Sequence, residues 1–141
     1  MDSKNGTIPG CGYHHVAIRA SDFEGAVRFY TEGLGCRLAV RWGEGDRRAA
    51  LLDTGDGNYV EVFAGGQRAP FEAPPEGGIL HFALRTTDCD AAIERARAAG
   101  ATVTVEPKTL ALESEPKITI RIAFCIGPAG ETIEFFQNDQ T

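Results

Sequence analysis

The sequence has no long apolar run, no basic stripe and no apolar segment near its start. No stretch approaches the length that crosses a bilayer, so a membrane partner is not expected. The 14 basic and 20 acidic residues give a net charge of −6, and the absence of a clustered basic face argues against a nucleic-acid partner. Because the first ten residues lack the apolar core of a signal peptide, a cytoplasmic location is expected.

Closely spaced cysteines are also missing. The four cysteines form no CxxC motif, which disfavours both a zinc ribbon and a disulfide framework. They are Cys11, Cys36, Cys89 and Cys125, and the last of them lies in an apolar run typical of a core strand. At 141 residues the chain is long enough to bury the core of one compact domain.

What the sequence does contain is an internal repeat. The segment His15-Val-Ala-Ile-Arg-Ala-Ser-Asp matches His81-Phe-Ala-Leu-Arg-Thr-Thr-Asp at an offset of 66 residues. A second match, at an offset of 73, aligns Gly57-Asn-Tyr-Val-Glu-Val-Phe with Gly130-Glu-Thr-Ile-Glu-Phe-Phe. The chain therefore consists of two copies of one unit, and such a repeat outranks other sequence signals of fold.

Each unit is predicted to be βαβββ, which makes the fold class α+β. A strand with alternating apolar residues opens each unit, and a segment with helical spacing follows it. Ser21 with Glu24 forms a capping-box pattern before the first helix, and Thr87 with Asp90 forms a weaker one before the second.

Composition predicts the boundaries. Residues 1–12 are expected to be a loose leader, and residues 13–137 a single domain of two modules, 13–64 and 79–137. Half of residues 65–78 are glycine or proline, which is typical of a linker. The offset between the copies grows along the second module, so residues 106–117 are predicted to be an extra loop and a candidate lid.

One histidine and one glutamate occupy matching places in each unit. His15 and His81 lie on the opening strands, away from the bulk apolar face, and Glu61 and Glu134 lie in apolar closing strands. A buried carboxylate must be paired, protonated or bound to a metal, because an isolated buried charge is too costly. Two imidazoles and two carboxylates that converge would suit a divalent transition metal. Duplication of a structural scaffold explains the same repetition, so the pattern alone leaves both interpretations open.

Two arginines, a third histidine and a tryptophan accompany these four residues. Arg19 and Arg85 share the face of the histidines, where they would bind an anionic group of a substrate or, alternatively, pair with the glutamates. His14 has no counterpart in the second unit, where Leu80 stands, and by alternation it is expected to face the other side in a structural role. Trp42 is expected to be wall or core.

The stretch from His14 to Gly35 closely resembles the opening of vicinal oxygen chelate proteins, and Gly127-Pro-Ala-Gly-Glu-Thr-Ile-Glu-Phe-Phe resembles their closing motif. This superfamily includes glyoxalase I, methylmalonyl-CoA epimerase, extradiol dioxygenases, fosfomycin-modifying transferases and bleomycin-resistance proteins. The resemblance covers residues 13–137 and implies that the modules form a cupped mixed sheet around a cavity that holds a metal. The ligand pattern is closest to glyoxalase I (lactoylglutathione lyase), because the four ligand places of that enzyme are filled here by His15, Glu61, His81 and Glu134.

The resemblance therefore implies a metal-dependent lyase or isomerase that transfers a proton through a metal-bound enediolate. Glu134 would be the base, Glu61 its near-symmetric partner, and the ion nickel, cobalt, zinc or manganese. Arg19 matches an arginine that glyoxalase I uses near glutathione, whereas Gly65 stands where that enzyme has a glutathione-binding asparagine, which leaves the small-molecule substrate open. The alternatives are an isomerase like methylmalonyl-CoA epimerase, a dioxygenase or transferase, and a non-catalytic binding protein of the bleomycin-resistance kind. Members of this superfamily often form homodimers, so a homodimer is expected.

Overall fold

The computed structural model describes residues 5–7, 13–67, 76–114 and 116–141. Over these residues the chain folds into two four-stranded mixed sheets, one in each half of the sequence. This arrangement confirms the predicted α+β fold of two βαβββ modules. The predicted leader and linker lie largely outside the described residues, so their limits stay predictions.

The first module has strand order β1-β4-β3-β2. Strand β1 is parallel to β4, with His15 opposite Tyr59, and the remaining neighbours are antiparallel. After β1 the chain forms helix α1, which continues as a π-helical turn. The bounds are β1 His15–Arg19, α1 Phe23–Arg28, the π-helical turn Phe29–Gly33, β2 Arg37–Trp42, β3 Ala49–Asp53 and β4 Tyr59–Phe63.

The second module repeats this topology with strand order β5-β8-β7-β6. Strand β5 is parallel to β8, with Ala83 opposite Glu134. Strands β1 and β5, which open the two modules, are therefore both end strands of their sheets. The bounds are β5 Phe82–Arg85, α2 Cys89–Ala98, β6 Thr102–Ala111, β7 Thr119–Ile126 and β8 Thr132–Gln137.

Each helix begins at an aspartate. The carboxylate of Asp22 accepts a hydrogen bond from the Gly25 amide, and that of Asp88 accepts one from the Ala91 amide, both at 2.9 Å. Such a cap satisfies an amide that has no partner within the helix, and its negative charge suits the helix N-terminus. The prediction that Ser21 and Thr87 provide these caps is therefore wrong.

The predicted lid loop is also wrong, because strand β6 extends to Ala111 and pairs with β7. Pro107 lies within this strand, which tolerates it because β6 is an edge strand and its register shifts on the N-terminal side of Lys108. The connection to β7 spans only residues 112–118 and is closed by a 2.9 Å hydrogen bond from the Leu112 amide to the Ile118 carbonyl.

The helices of both modules contribute to one core. Tyr30 and Val60 from the first module lie in the same buried cluster as Ile93 and Ile133 from the second. Gly33 permits the close approach of the helices, since a Cβ atom at this position would lie 2.5 Å from that of Ala99.

The cysteines of the described residues belong to this core. Cys36, Cys89 and Cys125 are free and buried, and burial raises the pKa of the Cys36 and Cys125 thiols to about 11. Cys11 lies outside the described residues. None of the described helices has the length and apolar character needed to cross a membrane.

Candidate metal centre

The first module brings His15 and Glu61 together. Parallel pairing of β1 with β4 sets Ala17 opposite Glu61 and Tyr59 opposite His15, so the two side chains lie diagonally on one face of the sheet. The Nε2 atom of His15 lies 3.0 Å from Oε2 of Glu61, and the Glu61 side chain is 14% exposed. The glutamate is therefore paired, as a carboxylate in such a strand requires.

The second module contains the equivalent contact. Nε2 of His81 lies 3.0 Å from Oε2 of Glu134, whose side chain is 10% exposed. Phe124 on β7 lies opposite Glu134 and meets the His81 ring edge-on, with 5.3 Å between the ring centroids. Burial raises the pKa of the Glu134 carboxyl above its ordinary value, and the nearby His81 imidazole partly offsets this effect. The Glu134 carboxylate is therefore a stronger base than an exposed glutamate.

The donor atoms suit a divalent metal ion. Two ligand atoms that each lie about 2.1 Å from one ion are separated by about 3.0–3.4 Å, and both histidine–glutamate contacts have 3.0 Å between the donor atoms. Imidazole nitrogen and carboxylate oxygen are also ligands that transition metals accept. However, the described part of a single chain contains no group of three or more His, Cys, Asp and Glu side chains arranged to hold a metal. The described part of one chain therefore contains two separate histidine–glutamate pairs, which we call the first and the second half site.

The two predicted substrate-binding arginines have different surroundings. Arg19 donates a 2.9 Å hydrogen bond to the Ala64 carbonyl, and its guanidinium lies 5.4 Å from the centroid of the Phe63 ring. Arg85 is exposed and, within the described residues, has no hydrogen bond or ion pair. Neither arginine pairs with a glutamate, so the alternative that they neutralise Glu61 and Glu134 is not supported.

Trp42 lies on the surface of the first sheet. Its side chain is 40% exposed and its ring meets the Phe63 ring edge-on, with 6.4 Å between the centroids. Of the two roles expected for this residue, the exposure of its side chain excludes a core position.

His14 is the residue whose position the sequence predicted wrongly. Its Nδ1 atom lies 2.9 Å from Nδ1 of His15, so its ring does not face away from that histidine. Strict alternation does not hold here, because His14 precedes the first paired residue of β1 and this strand forms the end of its sheet. The sequence signal that could have revealed this contact is the pair of consecutive histidines at the start of an edge strand.

A hydrogen bond that the sequence did not predict joins the modules. The Tyr30 hydroxyl donates to Oε1 of Glu131 at 2.6 Å, and the Ala129 amide donates to Oε2 at 2.7 Å. Burial raises the pKa of the Glu131 carboxyl, while these donors act in the opposite direction. Tyr30 is fully buried, so this contact fixes the second module against the helical segment of the first.

A cleft of about 940 Å³ lies beside the core between the modules. Val16 and Val60 of the first module and Leu84 and Phe135 of the second line its apolar part. Arg85 lies at its polar rim. The packing of the modules is therefore close on one side and open on the other.

Comparison with known proteins identifies the family of the chain. The sequence profile of the Glyoxalase/Bleomycin resistance protein/Dioxygenase superfamily matches residues 12–135. A curated relative, 2-epi-5-epi-valiolone epimerase from Actinomyces sp., is 34% identical over 124 residues, with 73% of this chain and 68% of the relative covered. The chain belongs to this superfamily.

Solved structures extend the comparison of the fold. A glyoxalase I mutant from Zea mays is 23% identical, with a TM-score of 0.71 that covers 91% of this chain and 45% of that protein. TnmS3, an antibiotic binding protein from Streptomyces sp. CB03234, is 23% identical, with a TM-score of 0.69 and coverage of 94% and 99%. An enzyme and a binding protein thus share this fold, so the function has to be argued from the site.

Proposed function

We propose that the protein is a metal-dependent isomerase or lyase that removes a proton from a carbon next to a carbonyl group and returns it. The observation that carries this proposal is the histidine–glutamate contact, which both modules contain with the same 3.0 Å distance. A relative that is named an epimerase supports proton transfer of this kind. The proposal includes a lyase reaction of the glyoxalase I type as its second possible reaction.

The four donors His15, Glu61, His81 and Glu134 would hold the ion. Their mixture of imidazole and carboxylate suits zinc, nickel, cobalt or manganese. A divalent ion at this place supplies the positive charge that stabilises the oxygen of an enolised carbonyl group.

The complete centre in this proposal is built by two copies of the chain. The first half site of one copy faces the second half site of its partner, and the reverse contact forms a second centre. Support comes from the absence of a three-donor group in the described part of one chain. Exposed apolar side chains near the openings of both modules, Tyr13, Ile79 and Leu80, provide surface that a second copy would cover.

Glu134 acts as the base in this proposal. Its carboxylate is the more buried of the two, and the burial that raises its pKa also makes it a stronger proton acceptor. Phe124 keeps water away from the carboxylate on the neighbouring strand. Glu61, in the other half of the centre, returns the proton when the reaction inverts a carbon, while Arg19 and Arg85 bind an anionic part of the substrate.

The first experiment measures metal and proton exchange together. Purified protein is depleted of metal, reloaded with zinc, nickel, cobalt or manganese, and incubated in D₂O with 2-epi-5-epi-valiolone, methylmalonyl-CoA or the methylglyoxal–glutathione hemithioacetal. The expected result is about one ion per chain and deuterium incorporation next to the carbonyl group of one of these compounds. Metal uptake without exchange in any of them would contradict the proposed reaction.

Mixing two inactive variants tests the shared centre. His15→Ala and His81→Ala each remove one of the four ligands from every centre of their own homodimers. A mixed dimer, however, contains one centre with all four ligands. Random exchange of subunits restores about a quarter of the zinc sites and of the activity, as expected for twofold assembly. A centre within one chain would give no recovery.

The second candidate is a protein that binds a small molecule without transforming it. Its support is the separation of the two half sites in one chain and the structural similarity to an antibiotic binding protein. Failure of the intact protein to take up any of the four metals would favour this candidate.

A further inference from the structure

The first half site contains a hydrogen-bonded series of three side chains. Oε2 of Glu61 lies 3.0 Å from Nε2 of His15, and Nδ1 of the same ring lies 2.9 Å from Nδ1 of His14. Both nitrogens of His15 therefore have partners. In the second half site Leu80 replaces His14, so the described residues give His81 a partner only at Nε2.

The proton positions in this series depend on one another. Each neutral imidazole carries one proton, and a hydrogen bond between two ring nitrogens needs a proton on only one of them. The Glu61 carboxylate accepts a hydrogen bond from His15 Nε2, which carries the proton of that ring, so Nδ1 of His15 is an acceptor. His14 therefore has to carry its proton at Nδ1 and donate it to His15.

A metal held by Nε2 of His15 would reverse this pattern. A neutral histidine that binds a metal through one nitrogen carries its proton on the other, and a hydrogen bond to that proton orients the ring. The proton of His15 then lies at Nδ1, and His14 becomes the acceptor with its own proton at Nε2. A second histidine fits both situations, because the imidazole can exchange its donor and acceptor nitrogens.

Two contacts hold His14 where it can play this part. The Tyr59 amide donates a 2.8 Å hydrogen bond to the His14 carbonyl, which ties the backbone of His14 to β4. The rings of His14 and Tyr59 pack together with 5.0 Å between their centroids and 34° between their planes. The ring of His14 is thus fixed on the sheet before any ligand binds.

We infer that His14 is a positioning residue, which orients the imidazole of His15 and accepts a hydrogen bond from its Nδ1 when the first half site takes up a metal. This inference rests on the metal centre of the proposed function. It gives the half sites different properties, because the second module has no equivalent of His14.

The test uses NMR of protein labelled with ¹⁵N at histidine, which is simple because the chain has three histidines. Long-range ¹H–¹⁵N spectra at mildly alkaline pH report which nitrogen of each ring carries the proton. In metal-free protein we expect the proton at Nδ1 of His14 and at Nε2 of His15. Zinc should move them to Nε2 of His14 and Nδ1 of His15. An unchanged proton position at His14 after zinc binds would overturn the inference.

Calorimetric titration with zinc provides the second readout. His14→Leu reproduces the second module and should weaken zinc binding at least about tenfold, as loss of the partner of a ligating histidine does elsewhere. His14→Gln keeps a donor and an acceptor and should recover most of the affinity.

The results separate this inference from the proposed function. Equal zinc affinity in the unchanged protein, His14→Leu and His14→Gln would overturn the role of His14 while leaving the centre intact. Reversal of the proton positions without any proton exchange on substrate would support His14 and remove the proposed reaction. Should His14→Leu fail to fold, His14→Gln and the spectra of the unchanged protein still decide the matter.

Discussion

The two modules contain the same histidine–glutamate contact in different surroundings. In both modules the donor atoms are 3.0 Å apart, since strand pairing fixes this geometry in each copy. The first contact is extended by His14, whereas the second is covered by Phe124 and contains the glutamate whose pKa is raised by burial. The repeated backbone has kept the positions of the histidine and the glutamate, while the neighbouring side chains differ: His14 contacts the histidine of one module, and Phe124 contacts the histidine of the other.

The contact between the modules shows a second difference. At the repeat offsets, Tyr30 corresponds to Ala96 and Glu131 corresponds to Asn58. Tyr30 and Glu131 form a buried hydrogen bond on one side of the molecule. The corresponding side, where Asn58 lies, is the open cleft. A duplicated unit therefore does not make a symmetric molecule: the side with this hydrogen bond is closed, and the corresponding side is open.

The largest expected effect concerns the two glutamates. Glu134→Gln should lower the rate of proton exchange on the substrate by about a thousandfold, within the usual range for loss of a general base. Glu61→Gln should lower it by no more than about tenfold, because exchange needs the group that removes the proton rather than the one that completes an inversion. NMR measures the incorporation of deuterium from D₂O into the substrate that the first experiment has identified.

Zinc affinity has to be measured for both glutamine variants, because the amide oxygen is a weaker ligand than the carboxylate. When both rates are measured at saturating zinc, a difference in zinc affinity does not affect the comparison. Similar losses in the two variants would mean that burial of Glu134 does not distinguish the half sites, and the assignment of Glu134 as the base would fail.

Much of the fold could be predicted from the repeat. Matching segments at offsets of 66 and 73 residues define two βαβββ modules. Strand pairing within each module then brings His15 to Glu61 and His81 to Glu134. The repeat could not predict how the modules pack, since that depends on contacts such as Tyr30 with Glu131 that have no counterpart in the other copy.

Two local predictions, the lid loop and the orientation of His14, failed for related physical reasons. The growing offset suggested a loop, but these residues extend the edge strand β6, which needs no hydrogen bond on its outer side and tolerates Pro107. The alternation rule failed at His14 because this residue lies before the first paired position of β1. Sequence pattern describes regular elements well, and both errors lie where a sheet ends.

Removal of the contact between the modules should have an intermediate effect. Tyr30→Phe leaves a buried carboxylate oxygen of Glu131 without its donor, which should lower the free energy of unfolding by about 1–3 kcal/mol. Tyr59→Phe is the matched control, because the Tyr59 hydroxyl makes no hydrogen bond within the described residues. Urea unfolding followed by circular dichroism measures both, and equal stabilities of the two variants would show that the hydrogen bond does not hold the modules together.

The smallest effect is expected in the pH dependence of stability. Burial raises the pKa of Glu131 in the folded protein, so the native state binds a proton more tightly than the unfolded state. The free energy of unfolding should therefore fall as the pH rises from the ordinary glutamate pKa to the raised one. Glu131→Gln has no such titration and is able to reverse its amide, so that its oxygen accepts from the Ala129 amide and its nitrogen donates to Tyr30. The stability of this variant relative to the unchanged protein should accordingly increase across that pH range. A difference that stays constant with pH, or that decreases, would show that the charge of Glu131 is not opposed by burial, and the asymmetry between the closed and open sides would then need another cause.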